Sequence, residues 1–227
     1  LTGAKSILVG HSMGSQIVFY FLQWVEAEGP LYGNGGAGWI DKHISSFVNV
    51  AGTLLGAPKA VPALISGEMK DTIQLNALAM YGLEKFFSRK ERVEMLQTWG
   101  GIPSMLPKGG DLIWGNLSYS SEDELHNNTD TYGNFIRFEK VMSDVYNKNL
   151  TMTSAIDLIE TLSPSWLVNR MREQYSYGFA KSKEELQENK KHHSHWSNPL
   201  EVPLPNAPNM KIYCIYGTNN PTERAYV

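Results

Sequence analysis

Five consecutive residues near the start of the chain fit the pattern Gly-x-Ser-x-Gly: Gly10, His11, Ser12, Met13 and Gly14. A serine hydroxyl is a weak nucleophile, so it needs a base and a tight turn that projects it toward that base. Glycine two positions before and after the serine removes side chains that would collide in such a turn. The pattern therefore indicates acyl transfer through Ser12, with Gly10, His11 and Gly14 forming the turn.

The residue after the serine has a predicted role of its own. A helix that begins at this turn directs its N-terminal amides toward the serine, where they can stabilise negative charge. We therefore expect the amide of Met13 to be an oxyanion donor. The alternative interpretation of the pentapeptide is a structural glycine turn without chemistry.

The elements on either side of the turn support the first interpretation. Ser6–Val9 is a short apolar run that predicts a buried strand, and Ile44–Val50 predicts a second one. Between them, apolar residues at helical spacing predict one helix that packs on a sheet: Ile17, Val18, Phe21, Leu22 and Val25. Strand, helix and strand in this order predict a βαβ unit and a parallel sheet.

One stretch resembles a membrane span in its lack of charge. No Asp, Glu, Lys or Arg lies between Lys5 and Glu26. Polar groups and glycines in the middle of this stretch, Gly10 to Gln16, would be costly in lipid. We therefore interpret it as two elements joined by a turn.

The middle of the chain has a different pattern. Helices are predicted over 75–99 with an interruption at Gly82, and over 135–146, 153–162, 165–175 and 181–191. The stretch 102–116 is rich in Gly, Pro and Trp and predicts an irregular loop, and a third strand is predicted over 210–216. The predicted domains are a partial α/β-hydrolase core with the nucleophile turn (1–60), a large helical and loop cap or lid insertion (61–208), and a return to the core sheet (209–227).

Composition narrows the classes of partner. The 227 residues include 20 Lys+Arg and 23 Asp+Glu, a net charge of −3, which gives no reason to expect a nucleic acid partner. One cysteine, Cys214, excludes an internal disulfide and a cysteine-based zinc site. We predict no cofactor and no metal, and we interpret His192, His193 and His195 as part of a polar loop.

The other two members of a catalytic triad are not found in the usual order, which is serine, then acid, then histidine. No aspartate follows the predicted third strand, and no histidine follows His195. The chain also begins with Leu1 and has no signal-peptide pattern. We therefore interpret the sequence as an internal part of a longer protein, inactive by itself, with the aspartate and histidine expected beyond Val227.

Several segments beyond the pentapeptide carry a family resemblance. The chain resembles the lecithin:cholesterol acyltransferase family, in its fungal-type branch, over essentially its whole length. The segments that carry this resemblance are residues 9–15, 49–59, 104–110, 196–200, 213–217 and 220–226.

The resemblance implies an acyl-CoA-independent acyltransferase. Ser12 aligns with the family's nucleophile and Met13 with its oxyanion position. A fatty acyl group would pass from a phospholipid to Ser12 and then to diacylglycerol, giving lysophospholipid and triacylglycerol. Leu54 and Leu55, which follow a predicted strand end, are expected to line the acyl pocket.

The resemblance also implies a location. Such enzymes are typically anchored in the endoplasmic reticulum membrane by one N-terminal helix, with the catalytic domain lumenal and a membrane surface as partner. That anchor is not among these residues. Three Asn-x-Ser/Thr sequons, at Asn116, Asn127 and Asn149, are compatible with lumenal glycans, although their number is close to chance.

Two other functions stay open. A phospholipase or lipase of the same fold would give the acyl group to water instead of an alcohol. A lipid-binding remnant with an incomplete triad would bind without turnover. The intact Gly10, Ser12 and Gly14 argue against the remnant.

Overall fold

Three strands and a series of helices make up the part of the chain that the structure describes. The structure is a computed structural model, and it describes residues 3–68, 75–126, 130–138, 148–219 and 222–227, with only the backbone of 125 and 126. The strands are β1 (Ser6–His11), β2 (Ile44–Val50) and β3 (Lys211–Ile215). The helices are α1 (Met13–Glu26), α2 (Trp39–His43), α3 (Ala60–Ser66), α4 (Ala77–Phe86), α5 (Arg89–Thr98), α6 (Gly101–Ser104), α7 (Gly110–Trp114), α8 (Asp123–His126), α9 (Met152–Leu162), α10 (Ser165–Gln174) and α11 (Lys183–Asn189), with a 3₁₀ helix at His193–His195.

The three strands form one parallel sheet in the order β1-β2-β3, which confirms the predicted parallel α/β arrangement. Gly10 on β1 lies opposite Asn49 on β2, and Asn49 lies opposite Cys214 on β3. Because parallel strands end at the same edge, this register brings the residues that follow β1, β2 and β3 together at the carboxyl edge of the sheet.

The helix α1 packs on the sheet through an apolar core. Leu22 and Val25 of α1 are buried with Ile40, Ile44 and Phe47. The predicted inward face is partly wrong, because Ile17 is exposed while Phe19 is buried. The two residues are about 200° apart around a helix of 3.6 residues per turn, so they lie on nearly opposite sides.

The uncharged stretch between Lys5 and Glu26 forms β1, a turn and the 14-residue helix α1, as predicted. The predicted burial of this strand is wrong, because Ile7 and Val9 of β1 are exposed. Among the described residues, no helix combines the length and the apolar character that crossing a bilayer requires.

The chain divides into two compact units. Unit 1 comprises Leu1–Leu55 and Gln174–Pro221, and unit 2 comprises Gly56–Glu173 and Thr222–Val227. These bounds differ from the predicted domain bounds at 60, 208 and 209, because residues 174–208 cluster with the sheet and the last six residues cluster with the helices of unit 2. A role of the insertion as a cap stays a prediction.

In unit 2, capping residues mark the ends of helices better than glycines do. The helix break predicted at Gly82 is wrong, because Gly82 lies inside α4 and the break falls at Phe87. Ser88 and Glu91 form a reciprocal capping box that begins α5 there. The predicted irregular loop over 102–116 contains two short helices, α6 and α7.

A predicted helix over 135–146 is also wrong where the structure describes it. Ile136 forms isolated β-bridges with Leu150 and with Tyr226, so the backbone at 135–138 is extended. Residues 139–146 lie outside the described residues. The helices α9 and α10 lie close to their predicted ranges, and α11 has no buried residue, as expected of a solvated helix.

Candidate active site

The turn between β1 and α1 holds Ser12 in a strained backbone conformation. Its φ is 53° and its ψ is −124°, a region that residues with side chains rarely adopt and that costs about 1–3 kcal/mol. Hydrogen bonds from neighbouring segments hold it: the amide of Ser12 donates to the Val50 carbonyl at 3.0 Å, and the amide of Thr53 donates to the Ser12 carbonyl at 3.3 Å. The strain predicted at Ser12 is therefore present.

The two glycines of the motif have unequal roles. A β-carbon at Gly10 would lie 2.7 Å from the Ser15 Cα atom, which is too close for any residue but glycine. A β-carbon at Gly14 would meet no described atom within 4 Å, so the collision expected there is not found. The reason is that α1 already begins at Met13, which places Gly14 inside the helix.

The groups around the serine side chain fit the predicted chemistry in part. Ser12 makes no side-chain capping bond to α1, and no described residue forms a hydrogen bond with its hydroxyl. Met13 is the first residue of α1, and its N–H belongs to the four that helix geometry leaves without a helical acceptor. Met13 and Gly14 are half-buried, while His11 ends β1 with an exposed side chain.

A second strained residue follows the next strand. Ala51 has a φ of 46°, and its amide donates to the Ile215 carbonyl of β3 at 2.7 Å. The arrangement repeats that of Ser12 one strand along. Leu54 and Leu55 follow within a few residues and are half-buried, and their role in an acyl pocket stays a prediction.

Two buried polar side chains on α1 that sequence reasoning missed contact the segments beside Ser12. The hydroxyl of Ser15 lies 2.9 Å from the Gly10 carbonyl oxygen and 2.7 Å from Asn49 Oδ1. Gln16 donates through Nε2 to the Thr53 carbonyl. The one sequence signal for this contact is Asn49, a polar residue within a predicted strand. Its pairing with Ser15 could not be predicted from spacing.

A family model supplies the deciding comparison. The model described as lecithin:cholesterol acyltransferase matches residues 1–227, the whole chain. The chain belongs to the lecithin:cholesterol acyltransferase family. The family has an α/β-hydrolase-like fold, and the three-stranded parallel sheet with its helices fits part of such a fold.

Curated relatives in this family share the sequence closely. Phospholipid:diacylglycerol acyltransferase of Saccharomyces cerevisiae is 74% identical over 227 residues, which is 100% of this chain and 34% of that protein. The protein of the same name from Schizosaccharomyces pombe is 48% identical over 98% of this chain and 34% of its own length. Phospholipid:diacylglycerol acyltransferase 1 of Arabidopsis thaliana is 34% identical over 99% of this chain and 43% of its own length. The chain thus spans about a third of the two fungal relatives.

Two segments that carry the family resemblance contact each other within unit 2. Gly56 has a φ of 89°, and a β-carbon there would lie 2.5 Å from the Leu106 carbonyl oxygen. The next amide, that of Ala57, donates to the Met105 carbonyl at 2.7 Å. Glycine at 56 is therefore required by a close approach of two backbones.

One of the three histidines near the end of the helical region, His195, belongs to a polar network of unit 1. His195 Nδ1 lies 2.9 Å from Glu201 Oε2, and Ser176 donates to Glu201 Oε1 at 2.8 Å. The pairing of His195 with the buried Glu201 carboxylate has no sequence signal beyond its six-residue spacing. Among the described residues, no group of three His, Cys, Asp or Glu side chains is placed to hold a metal ion.

Proposed function

We propose that the full-length protein containing this chain is an acyl-CoA-independent acyltransferase with Ser12 as its nucleophile. The observation that carries the proposal is the strained conformation of Ser12 at the head of α1. Backbone strain of this kind persists where the surroundings fix it, and it is concentrated at functional sites. The names of the curated relatives supply the substrate class, a phospholipid donor and a diacylglycerol acceptor.

The reaction proceeds in two transfers. The Ser12 hydroxyl attacks an ester carbonyl of the phospholipid while a base takes its proton. The C–O bond to glycerol then breaks, and the protonated base gives that proton to the leaving oxygen, which releases lysophospholipid. The hydroxyl of diacylglycerol then attacks the acyl-serine ester, and triacylglycerol leaves as the Ser12 hydroxyl regains a proton. The amide of Met13 stabilises the oxyanion of both tetrahedral intermediates.

The base and its acid are proposed to come from residues beyond Val227, in keeping with the order serine, acid, histidine. In unit 1 the segment after β3 reaches Gly217, Thr218 and Asn219 without a carboxylate. We therefore propose that these residues support turnover only as part of the full-length protein.

A membrane surface is the proposed source of both substrates. Three large apolar side chains of α4 are strongly exposed, Leu78 at 81%, Tyr81 at 63% and Phe86 at 91% of their surface. Among the described residues of α4 none is buried, so this helix presents apolar surface that packing within unit 2 does not use. Replacing Leu78 and Phe86 with serine is expected to weaken binding of the full-length protein to phospholipid vesicles in a flotation assay.

A lumenal position in the endoplasmic reticulum is the proposed location. In unit 2, Asn116 is exposed and its Oδ1 accepts from the Ser118 hydroxyl at 2.8 Å, while the half-buried Asn149 accepts from the Phe138 amide. The sequon at Asn127 lies outside the described residues. A glycosidase-sensitive mass shift that one or more single Asn→Gln variants abolish would support the lumenal position.

The transfer assay tests the proposed function and separates it from its alternatives. Membranes with the full-length protein receive phospholipid with a labelled acyl chain and diacylglycerol, without acyl-CoA, and the Ser12→Ala variant is the control. Label in triacylglycerol that depends on Ser12 supports the acyltransferase. Label in free fatty acid alone would favour a phospholipase, and the absence of any turnover would favour a lipid-binding remnant.

A further inference from the structure

A fully buried serine hydroxyl lies about one helical turn after the candidate nucleophile. Ser15, three residues after Ser12 on α1, has no exposed surface. Its Oγ is within hydrogen-bond distance of the carbonyl oxygen of Gly10 (2.9 Å) and of Asn49 Oδ1 (2.7 Å). The first contact closes the turn that contains Ser12, and the second ties that closed turn to strand β2.

Two glycines leave the space in which this contact is made. A β-carbon at Gly10 would lie 2.9 Å from Ser15 Oγ. A β-carbon at Gly52 would lie 2.0 Å from Asn49 Oδ1 and 2.5 Å from Ser15 Oγ. Backbone of β1 and of the segment after β2 therefore passes close to the Ser15–Asn49 pair, and a side chain at either glycine would displace that pair.

Asn49 lies on the middle strand of the sheet, and its side chain contacts helix α1 and strand β3. Asn49 lies opposite Gly10 on one side and opposite Cys214 on the other. Its Nδ2 is 3.9 Å from Cys214 Sγ, at the limit of a weak hydrogen bond to sulfur. The amide thus lies in the row of residues just before the carboxyl edge at which Ser12 projects.

We propose that Asn49 is a positioning residue for Ser12, acting through Ser15. The inference rests on the proposed role of Ser12 as nucleophile. Attack on an ester requires the serine oxygen within a fraction of an ångström of its productive position, and the strained backbone of Ser12 relaxes unless its surroundings fix it. The Asn49–Ser15 contact fixes the C-terminal side of the turn, while the Ser12–Val50 hydrogen bond fixes its centre.

Two substitutions at Asn49 separate positioning from packing. Asn49→Leu keeps the branched shape but removes the hydrogen bond, and the Ser15 hydroxyl keeps the Gly10 carbonyl as acceptor, so no buried donor is left unpaired. Asn49→Asp keeps an acceptor for the Ser15 hydroxyl while introducing a charge into a half-buried place, which costs stability. Asn49→Leu is therefore expected to lose activity while it keeps most of its stability. Asn49→Asp is expected to keep most of its activity while it loses stability.

A matched control comes from the same helix. Gln23 is buried on α1 and donates through Nε2 to the Pro203 carbonyl at 2.6 Å, three turns of helix away from Ser12 in sequence. Gln23→Leu removes a buried side-chain hydrogen bond and leaves the Pro203 carbonyl unpaired. It is expected to lower thermal stability without changing the reaction at Ser12.

The experiment measures single-turnover acylation of Ser12 in the full-length protein with labelled phospholipid, together with KM in steady state and thermal unfolding. For Asn49→Leu we expect acylation slower by about 10–100-fold with KM within about twofold of wild type. Asn49→Asp is expected to recover most of the acylation rate at a lower unfolding temperature. Gln23→Leu is expected to acylate at the wild-type rate.

Three results would overturn the positioning role. These are an Asn49→Leu acylation rate within about twofold of wild type, a loss that Asn49→Asp does not recover, and a loss in Gln23→Leu as large as that in Asn49→Leu. If Asn49→Leu does not fold, Asn49→Ala removes the same contact without added bulk, keeps the Ser15–Gly10 contact and carries the same expectations. Ser12→Ala in the same assay keeps the two proposals apart, because a fully acylated Ser12→Ala protein would refute the nucleophile and not the contact.

Discussion

The turn at Ser12 in unit 1 and the segments around Arg92 in unit 2 are held by different kinds of hydrogen bond. In unit 1 the strained turn at Ser12 is held by neutral groups, the hydroxyl of Ser15 and the amides of Asn49 and Gln16. In unit 2 the largest buried polar side chain is charged: Arg92 has no exposed surface and donates to the carbonyls of Gly67 and Phe87. Neutral hydrogen bonds therefore hold the turn at Ser12, and hydrogen bonds from a charged side chain hold the segments around Arg92.

The arginine networks of unit 2 tie chain segments that are distant in sequence. Arg92 also bonds the Glu84 carboxylate at 2.6 Å, and this hydrogen bond holds the pKa of Glu84 below its usual value. Arg224, near the end of the chain, bonds Glu122 at 2.7 Å and the Trp114 carbonyl at 2.8 Å. A guanidinium presents five donors in a rigid fork, which suits it to join several carbonyls at once.

The comparison separates a region that needs an exact backbone position from a region that needs distant chain segments joined firmly. A neutral hydroxyl or amide fixes the turn at short range without the desolvation cost of burying a full charge. A buried guanidinium gives strong attachment, yet it leaves a large penalty when one partner is lost. The predictions below test this contrast in order of expected effect.

The largest effect is expected from removing the buried charge of unit 2. Arg92→Ala leaves the carbonyls of Gly67 and Phe87 without their donor and empties a buried site, and it should lower local stability by about 2–5 kcal/mol. Amide hydrogen exchange of the full-length protein should show the loss in α4 and α5 and not in β1 or α1. As control, Arg172 pairs with Glu160 at the surface with 67% of its side chain exposed, so Arg172→Ala should leave stability close to that of wild type. Equal losses of stability in Arg92→Ala and Arg172→Ala would contradict the contrast between the buried and the exposed arginine.

An intermediate effect is expected at the glycines of unit 1. Gly52→Ala would bring a β-carbon within 2.0 Å of Asn49 Oδ1 and is expected to cost about 1–3 kcal/mol. Gly14→Ala meets no described atom within 4 Å, and alanine inside a helix should be neutral or stabilise by up to about 1 kcal/mol. Thermal unfolding of the two variants checks the contrast, and a Gly52→Ala protein as stable as Gly14→Ala would show that the pair around Ser15 is loosely held.

The smallest effect is expected at Tyr226 in unit 2. Burial raises its pKa to about 12, and among the described residues its hydroxyl has no hydrogen-bond partner. A raised pKa in the folded state means that the neutral phenol favours folding, so this contribution is complete below pH 10 and is lost as the pH rises toward 12. Tyr226→Phe should leave stability at pH 7 unchanged or raise it slightly, because it removes a buried hydroxyl that pairs with no described residue, and it should flatten the decline between pH 10 and 12 in denaturant titrations. A clear loss at pH 7 would mean that the hydroxyl has a partner.

Elements set by local pattern could be predicted from sequence, and contacts set by tertiary packing could not. The segment 44–50 predicts β2 correctly, because Ile44, Phe47, Val48 and Val50 are β-branched or aromatic residues, which are typical of strands. The break after α4 was misplaced, because a glycine is tolerated inside a helix while the capping box at Ser88 begins a new one. The backbone at 135–138 is extended, because Phe135 and Ile136 pair with Leu150 and Tyr226, partners that no local pattern contains.

The same limit applies to the candidate site. The pentapeptide predicts the strained turn because its glycines and its place between strand and helix are local features. Asn49 reaches Ser15 from 34 residues away, through the register of two strands, so only the fold brings them together.

The central claim is that Ser12 carries the acyl group between the two lipids, and trapping the acyl-enzyme tests it most directly. Full-length protein is incubated with phospholipid bearing a labelled acyl chain, without diacylglycerol, and the peptide containing Ser12 is examined by mass spectrometry. We predict one acyl group on Ser12 that disappears into triacylglycerol when diacylglycerol is added. Triacylglycerol formed with no acyl group on Ser12, or formed by the Ser12→Ala variant, would contradict the claim.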